Sequence, residues 1–363
     1  MKLPKALEAY TNETMNARQA QRLAEFIAFG PIVFQVARVM LKFGMLDVLR
    51  DADEPLTIEQ VAEATHVSVY GARVLLEAAL SAQIVLTDED NTHYRLSKTG
   101  WFLINDPATR VNIDVNHFIN YRGFYQLEEA IRNGKPEGLK TLGEWETIYQ
   151  GLSQLKEDER RSWFNFDHFY SDAAFNEALP IVFDRPVKRL MDVGGNTGKW
   201  ALRCTSHDPD VNVTIVDLPQ QIALMNDNVK SKPGAERISG FGTNLLKEDA
   251  ALPDDDFDVI WMSQFLDCFS PDEITSILRL ARTRMTAQTR LLIMETFWDR
   301  QRFEPASFCL TQISLYFTVM ANGNSKMYGY NEMTKCIADA GLKVADIHDN
   351  LGQGHSIITC TIK

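Results

Sequence analysis

The sequence predicts an α/β fold with a mostly parallel sheet, preceded by a helical module of the winged-helix type. From Arg189 onward, short apolar segments alternate with segments of helical pattern, which is typical of parallel sheets. A glycine-rich turn directly follows the first of these apolar segments, and near the N-terminus two helical segments precede two short strands. We therefore expect two domains, residues 1–108 and residues 109–363, with residues 109–185 mostly helical.

Length, composition and charge limit the classes of function. The chain has 363 residues, of which 45% are hydrophobic and 24% charged, as in soluble proteins of two domains. Its N-terminus is polar, and no apolar stretch reaches the roughly 20 residues of a membrane span. The five cysteines are scattered, which fits a reducing cytoplasm and argues against disulfides or a zinc site. The net charge of −12 disfavours nucleic-acid partners.

Residues 17–50 have a helical pattern that is interrupted at Gly30-Pro31. The helices carry a broad apolar surface. Its residues are Phe26, Ile27, Phe29, Ile32, Val33, Val36, Val39, Met40 and Phe43. One small domain would not readily bury all of them, so a homodimer interface is one interpretation and an ordinary core the other.

Residues 55–105 have the pattern of a winged helix. Thr57 can cap a first helix, a second helix is expected at residues 69–82, and two short strands are expected at residues 84–87 and 93–96. Between residues 38 and 99 there are six Lys or Arg and ten Asp or Glu, a balance of −4. Because DNA affinity depends on neutralising phosphates, we expect a packing and dimerisation module that binds no nucleic acid.

The α/β part is predicted element by element. Strands are expected at residues 189–193, 213–217, 258–262 and 290–294. Helices are expected at residues 199–206, 221–229, 271–285 and 331–340. The chain closes with two strand-like segments around a glycine-containing turn, residues 343–348 and 356–362, which predict a terminal antiparallel hairpin.

The turn Asp192-Val193-Gly194-Gly195-Asn196-Thr197-Gly198 carries the clearest chemical pattern. Glycines allow positive φ and let a ligand approach the backbone closely. A P-loop is excluded, because Val193 stands in place of its first glycine and Trp200 in place of its Ser or Thr. A dinucleotide fingerprint is nearer, but it would place a pyrophosphate beside the Asp192 carboxylate. That acid suits a cation better, such as the ammonium of a methionine moiety.

Asp217 ends the second predicted strand and supports a nucleoside ligand. An acid at this place can accept hydrogen bonds from both ribose hydroxyls, although it could also be a turn residue before Leu218-Pro219. Together with the turn and Asp192, it favours S-adenosylmethionine as the cofactor. An NAD(P)-dependent oxidoreductase is the alternative.

At these residues the chain resembles the plant-type and bacterial small-molecule O-methyltransferases that carry an N-terminal winged-helix dimerisation domain. The likeness covers nearly the whole chain. Its specific parts are the glycine turn, Asp217-Leu218-Pro219 and the segment from Trp261 to Glu273. The resemblance implies a seven-stranded methyltransferase sheet, S-adenosylmethionine as cofactor with S-adenosylhomocysteine as product, a small-molecule acceptor methylated on a hydroxyl, and a homodimer.

The resemblance also implies the cofactor contacts. The glycines would lie against the methionine part, and Asp217-Leu218 would hold ribose and adenine. Gly242-Thr243-Asn244-Leu245 matches the adenine contact, where the usual acid is missing, and Ser263-Gln264 would lie near the cofactor's polar end. The predicted cofactor-binding residues are Asp192, Gly194, Gly195, Asn196, Gly198, Asp217, Leu218, Thr243, Asn244, Ser263 and Gln264.

The catalytic segment departs from the family pattern. The general base is normally a His, and in Leu266-Asp267-Cys268-Phe269 its position holds Asp267. Glu295 matches an acid that orients the base, whereas a second family acid falls at Met327. Asp267 with Glu295 could deprotonate the acceptor, His168 could replace the missing His, or positioning alone could supply the rate.

The acceptor pocket implied by the resemblance is aromatic. Its predicted residues are Phe166, Phe169, Tyr170, Phe265, Phe308, Gln312, Tyr316 and Met320. The last four are spaced by four and share a helix face, which fits a pocket or a core stripe equally. No metal-binding cluster is present in the sequence, so no metal is expected. A ligand sensor without enzymatic activity, or a relative that binds cofactor without turnover, are further alternatives.

Overall fold

The computed structural model describes residues 5–363 and divides the chain into two units. The smaller unit is Glu13–Phe118, and the larger is Ile119–Lys363 together with the N-terminal residues up to Asn12. This division falls beyond the predicted boundary at residue 108, because a helix that begins at Pro107 packs with the smaller unit. Residues 5–12, which were expected in the N-terminal domain, belong to the larger unit, and residues 1–4 lie outside the described residues.

The smaller unit has the predicted winged-helix pattern. Its helices are α2 (Ala17–Ala28), α3 (Gly30–Lys42), α4 (Met45–Asp51), α5 (Ile58–Thr65), α6 (Val69–Ser81), α7 (Lys98–Asn105) and α8 (Pro107–Val115). Its strands are β1 (Leu56–Thr57), β2 (Val85–Thr87) and β3 (His93–Leu96), in the antiparallel order β1-β3-β2. Thr57 caps α5 by accepting from the Gln60 N–H, and Ser68 caps α6 through the Gly71 N–H. These two caps fix where the two helices of the motif begin.

The predicted break at Gly30-Pro31 is present, and α2 and α3 are bent by 69° there. Of the apolar residues along these helices, Met40 is fully buried in the unit's core, whereas Ile27 is 68% and Ile32 is 59% exposed. The core interpretation therefore applies only to part of this surface. No single helix of the described residues is long and apolar enough to cross a membrane; α2 and α3 pass that test only as a bent pair, by length and composition.

The larger unit contains a seven-stranded sheet with helices on both faces. Its helices are α1 (Lys5–Thr11), α9 (Tyr121–Gly123), α10 (Leu127–Asn133), α11 (Ile148–Gly151), α12 (Glu157–Ser171), α13 (Phe175–Val182), α14 (Lys199–His207), α15 (Pro219–Val229), α16 (Pro271–Arg282), α17 (Glu304–Tyr316) and α18 (Tyr330–Asp339). Its strands are β4 (Arg189–Val193), β5 (Asn212–Asp217), β6 (Ile238–Gly242), β7 (Val259–Ser263), β8 (Arg290–Glu295), β9 (Leu342–Leu351) and β10 (His355–Ile362). Short 3-10 or π-helical segments are Asn116–Asn120, Phe124–Gln126, Glu137–Thr141, Leu152–Gln154, Asp172–Ala174, Ala235–Arg237, Leu266–Cys268, Trp298–Arg300 and Phe317–Ala321.

The strand order is β6-β5-β4-β7-β8-β10-β9. The first five strands are parallel, and β10 pairs antiparallel with both β8 and β9. The α/β class and the terminal hairpin are thus confirmed. The sequence analysis missed β6, whose Ile-Ser-Gly-Phe-Gly sequence holds two glycines and little strand propensity. The strand order reverses at β4, with β5 on one side and β7 on the other, and such a reversal creates a crevice at the carboxyl ends of the strands.

Successive side chains of the inner strands point to opposite faces of the sheet, and each face packs into its own hydrophobic core. Met191 and Val193 of β4 point to the layer that contains α16 and α18, whereas Leu190 points to the layer of α13 and α14. Asp192 therefore shares the second face, next to Trp261 on β7. An aspartic acid side chain is thus buried at the crevice end of β4.

Candidate active site

The glycine turn links β4 to α14 and is held in an unusual backbone conformation. Gly194 and Gly198 have φ of +76° and +79°, and Asn196 between them has φ +48°. A Cβ on Gly195 would lie 2.6 Å from the Asp192 Oδ2 atom and 2.8 Å from the Ile215 Cγ2 atom. The positions therefore require glycine for φ or for space, and the turn presents bare backbone to the crevice.

Asp217, at the end of β5, ties this turn to the neighbouring strand. Its Oδ2 atom accepts from the Asn196 N–H at 2.9 Å, and its Oδ1 atom accepts from the Leu218 N–H at 2.7 Å. Each carboxylate oxygen has further acceptor capacity. Asp217 can therefore hold the turn and still accept hydrogen bonds from two ribose hydroxyls.

The other predicted cofactor residues lie at the carboxyl ends of the adjacent strands. Thr243 follows β6 and donates its N–H to the Asp217 carbonyl at 2.9 Å, while the Asn244 side chain accepts from the Leu246 N–H at 3.0 Å. Ser263 ends β7, and Gln264 has φ +48° and donates its backbone N–H to the Met294 carbonyl. The structure thus brings the predicted set to one edge of the sheet, along four neighbouring strands.

Asp192 provides an observation that bears on the cofactor. The residue is 2% exposed, and its Oδ2 atom has no hydrogen-bond partner in the described chain. Burial, with a further contribution from the charge of Asp217, raises its pKa to about 8. Because a buried unpaired carboxyl is costly, a cationic group at this end of β4 fits it well. The glycine turn, Asp192 and Asp217 together fit the amino-acid and ribose parts of S-adenosylmethionine.

The loop after β7 is held by Glu295, the last residue of β8. Glu295 is 2% exposed, and its Oε1 atom accepts from the N–H groups of Phe265 and Leu266 at 3.0 and 2.9 Å. Its Oε2 atom accepts from the Gln264 side chain at 3.3 Å. Burial and the charge of Asp267 raise the pKa of Glu295 well above its usual range. Glu295 therefore fixes the backbone that carries Asp267.

Asp267 is 6% exposed and lies in the short helix Leu266–Cys268 after β7. Burial raises its pKa to about 6, although the Cys268 thiol, 3.5 Å from its Oδ1 atom, lowers it in part. Cys268 in turn accepts from the Tyr149 hydroxyl at 3.2 Å. A buried carboxylate with a pKa near neutrality can accept a proton at physiological pH.

Asp267 lines a partly open cavity whose walls are mostly aromatic. The cavity is lined by Tyr149, Trp163, Phe166, Asp167, Tyr170, Gln264, Asp267, Cys268, Tyr316, Phe317 and Met327. Of the predicted pocket residues, Phe166, Tyr170 and Tyr316 are among them. Met327, at the position of the second family acid, supplies an apolar side chain to the same wall.

Five predicted pocket residues do not line this cavity. Phe308 is 54% exposed and Gln312 is also exposed. On a helix of 3.6 residues per turn, side chains four residues apart are rotated by about 40° around the helix axis. The predicted row therefore winds around the helix, and only part of it faces the cavity. Met320 instead packs against the backbone of Gly123. Phe265 lies across Gly194, and Phe169 packs edge-on against Tyr170, with ring centroids 5.1 Å apart.

The sequence analysis missed several pocket residues, namely Tyr149, Trp163, Asp167, Cys268 and Phe317. Trp163, Phe166, Asp167 and Tyr170 follow each other at intervals of three, one and three residues along α12, the spacing of a single helix face. This pattern was present in the sequence and identifies Asp167 as a member of the face. The positions of Tyr149 and Cys268 depend on contacts between distant segments.

His168, the other candidate base, lies beside a lysine. It lies on α12 outside the lining of the cavity, and its Nδ1 atom is 3.0 Å from the Lys199 Nζ atom. Burial and the charge of Lys199 lower its pKa. Of the two candidate bases, Asp267 is the one that lines the cavity.

The fold and this crevice define a class: an enzyme that binds a nucleoside cofactor at the carboxyl ends of its parallel strands. Two family models match the chain, a Dimerisation2-like domain at residues 21–92 and an O-methyltransferase domain at residues 124–343. The chain belongs to the O-methyltransferase family, whose members depend on S-adenosylmethionine. The NAD(P) oxidoreductase alternative is thereby excluded, and the predicted cofactor and enzyme class are confirmed.

Relatives of established function support this assignment. Human acetylserotonin O-methyltransferase is 23% identical over 85% of this chain and 89% of its own length. The L-tyrosine C(3)-methyltransferase of Streptomyces lavendulae is 20% identical over 87% of this chain and 85% of its own. Among solved structures, human N-acetylserotonin methyltransferase in complex with S-adenosylmethionine has a TM-score of 0.63 at 20% identity, covering 97% of this chain and 99% of that one. Mitomycin 7-O-methyltransferase has a TM-score of 0.68 at 18% identity, covering 95% and 98%.

Proposed function

We propose that this enzyme transfers the methyl group of S-adenosylmethionine to a hydroxyl of a small aromatic acceptor, and that it works as a homodimer formed through its N-terminal unit. The observation that carries the proposal is the buried carboxylate of Asp267 in the wall of an aromatic cavity. That carboxylate follows β7, the direct neighbour of the strand that bears the glycine turn. Acceptor and cofactor sites would therefore adjoin.

The cofactor would be held by the residues at the crevice where the strand order reverses. S-adenosylmethionine supplies an electrophilic methyl group when it is bound. Asp192 would meet its ammonium group, the bare backbone of Gly194 and Gly195 would lie along its methionine part, and Asp217 would accept from its ribose. Thr243 and Asn244 would reach its base.

The chain's own chemistry would then be positioning and proton transfer. Asp267 would accept the hydroxyl proton of the acceptor, while Glu295 keeps the loop fixed through the two backbone N–H groups that it accepts. The aromatic walls would orient a flat acceptor and exclude water. Oriented reactants and a general base each contribute several powers of ten to a rate.

The test is a calorimetric titration of the purified protein with S-adenosylhomocysteine, beside Asp192→Ala and Asp217→Ala. We expect micromolar binding to the wild type and loss of at least tenfold in both variants. Asp210→Ala, on an exposed loop before β5, is the matched control. Absence of binding to the wild type, with NAD and NADP run in parallel, would overturn the proposal.

Analysis of the product distinguishes methylation of the hydroxyl oxygen from methylation of a ring carbon. Oxygen is proposed because the chain belongs to the O-methyltransferase family, whereas the Streptomyces lavendulae relative is named for a ring carbon. A carbon-13 methyl label transferred to an accepted phenol separates the two outcomes by its chemical shift. A methyl on the ring carbon would correct the proposal.

A further inference from the structure

The acceptor cavity carries two carboxylates and, among its described lining residues, no Lys, Arg or His. One is Asp267, and the other is Asp167 of α12. Asp267 is 6% exposed and receives from neighbouring side chains only the long thiol contact of Cys268 at 3.5 Å. The cavity therefore concentrates negative charge on a buried side chain that lacks a cationic partner.

Asp167 is not neutralised by the basic groups around it. The His168 Nδ1 atom lies 3.9 Å from its Oδ2 atom, beyond hydrogen-bonding distance. The Lys199 ammonium is engaged by Asp172 at 2.6 Å and by His168 at 3.0 Å. Asp167 is half-buried, with 36% of its side-chain surface accessible, and it lines the cavity. Burial, with the charges of Asp267 and Asp172, raises its pKa to about 7 despite Lys199.

The aromatic walls suit a cation as well. The Tyr316 hydroxyl accepts from the Trp163 indole N–H at 2.7 Å, and the Tyr149 hydroxyl donates to the Cys268 sulfur at 3.2 Å. With these polar tips engaged, the rings offer their faces and edges, and aromatic faces attract cations. A neutral ligand would gain only hydrogen bonds from the two acids, and an anionic ligand would be repelled by them.

We propose that the acceptor is an aromatic amine in its protonated form, whose cationic nitrogen pairs with Asp167 while its hydroxyl is presented to Asp267. This inference rests on the proposed function and adds the charge of the substrate to it. Asp167 is then a specificity-determining residue, and Asp267 keeps the role of base. The amine also provides the positive charge that the two acids of the cavity lack.

Binding of three phenols that share a 4-hydroxyphenylethyl group and carry different charges tests the inference. The protein is saturated with S-adenosylhomocysteine and titrated with tyramine, with neutral N-acetyltyramine and with anionic 3-(4-hydroxyphenyl)propionate. We expect tyramine to bind the wild type at least tenfold more tightly than N-acetyltyramine, and the propionate to bind most weakly. Asp167→Asn should weaken tyramine about tenfold and leave N-acetyltyramine within twofold. Asp158→Asn, an exposed acid in the first turn of the same helix, should behave as the wild type.

The affinity for S-adenosylhomocysteine distinguishes failure of this inference from failure of the proposed function. It should be unchanged in Asp167→Asn, which also shows that the variant is folded. If cofactor binds and tyramine has no advantage over N-acetyltyramine, including the case in which none of the probes binds, the inference is overturned and the proposed function stands. If Asp167→Asn weakens the cofactor instead, Asp167 belongs to the cofactor site and the inference is overturned. If the wild type binds no cofactor, both fall.

Discussion

Asp192 and Asp267 are both buried aspartates, but their surroundings give them different tasks. Asp192 has an oxygen without a partner at the end of β4, and burial raises its pKa to about 8. Asp267 lines an aromatic cavity, has a thiol beside it, and has its pKa raised to about 6. A cation bound beside Asp192 would lower its pKa and favour its ionised form. Asp267, with a pKa near 6, is ionised at neutral pH and can take up a proton.

We expect Asp267→Asn to lower kcat by about 10²–10⁴-fold, the usual contribution of a general base. In the wild type, kcat/KM should fall as pH drops through about 6, because Asp267 accepts a proton only when ionised. Asp167 titrates nearby, with a pKa of about 7, and should broaden the acidic side of the pH profile of kcat/KM. Steady-state kinetics on an accepted phenol measure both effects. Asp272→Asn, exposed at the start of α16, is the control, and a rate within threefold of wild type in Asp267→Asn would leave positioning alone as the source of catalysis.

Asp192→Asn should stabilise the cofactor-free protein at high pH. The folded pKa of about 8 lies above the usual value of 3.8, so the folded state binds the proton more tightly and loses relative stability as pH rises between the two values. The variant should match the wild type near pH 4 and exceed it by about 2 kcal/mol above pH 8, allowing for relaxation around the buried group. Urea unfolding across this pH range measures the difference. No gain in unfolding free energy in Asp192→Asn at high pH would contradict the burial of Asp192 as a neutral acid. An equal gain in the control Asp210→Asn would contradict the assignment of the effect to Asp192.

At the scale of elements, the turn between β4 and α14 combines two separate demands on glycine. Gly194 needs a positive φ and also contacts the Phe265 ring, whereas Gly134 has φ +59° with open space around its Cβ position. Gly134→Ala should therefore cost only about 1 kcal/mol of left-handed strain. Gly194→Ala should cost at least twice as much by urea unfolding and weaken S-adenosylhomocysteine at least tenfold. Equal costs would mean that Phe265 moves aside freely.

The loop after β7 depends on Glu295 at the end of β8. Glu295→Ala would leave the buried N–H groups of Phe265 and Leu266 without their acceptor, which we expect to cost about 2–4 kcal/mol of unfolding free energy. Glu295→Gln keeps one carbonyl acceptor and should recover most of that loss. Turnover should fall in Glu295→Ala by a larger factor than cofactor affinity, because the residue holds Asp267 as well as Gln264. An unaltered rate would contradict this positioning role.

At the scale of the whole molecule, α2 and α3 carry apolar side chains that the single chain leaves accessible. Phe26, Ile27 and Phe29 are 46%, 68% and 56% exposed, and they lie in the region that matches a Dimerisation2-like domain. Light scattering should give twice the 41.2 kDa mass of the chain for the wild type. Ile27→Glu should shift the mass toward the monomer, because a charge in an apolar interface is costly. Tyr125→Glu, at a 93% exposed position of the larger unit, should remain dimeric, and a monomeric wild type would contradict the proposal.

Local patterns predicted much of this fold and of the cofactor crevice. The bounds of β4 are those predicted, and the four helices predicted after it begin and end within three residues of expectation, whereas no bounds were predicted for α17. Alternating apolar residues, caps and glycines act over a few neighbouring positions, so they can be interpreted without the rest of the chain. The edge strand β6 was missed because its pairing with β5, and not its own composition, makes it a strand.

The sequence by itself determined the α/β class, the glycine turn with its two acids, and the replacement of the family's His by Asp267. Only the tertiary structure decided which side chains enclose the acceptor. It buried Tyr316 against Trp163 while leaving Phe308 exposed on the same helix, and it added Asp167 from α12. The physical reason is that a helical pattern shows which residues share a face, whereas packing against distant segments decides which face meets the cavity.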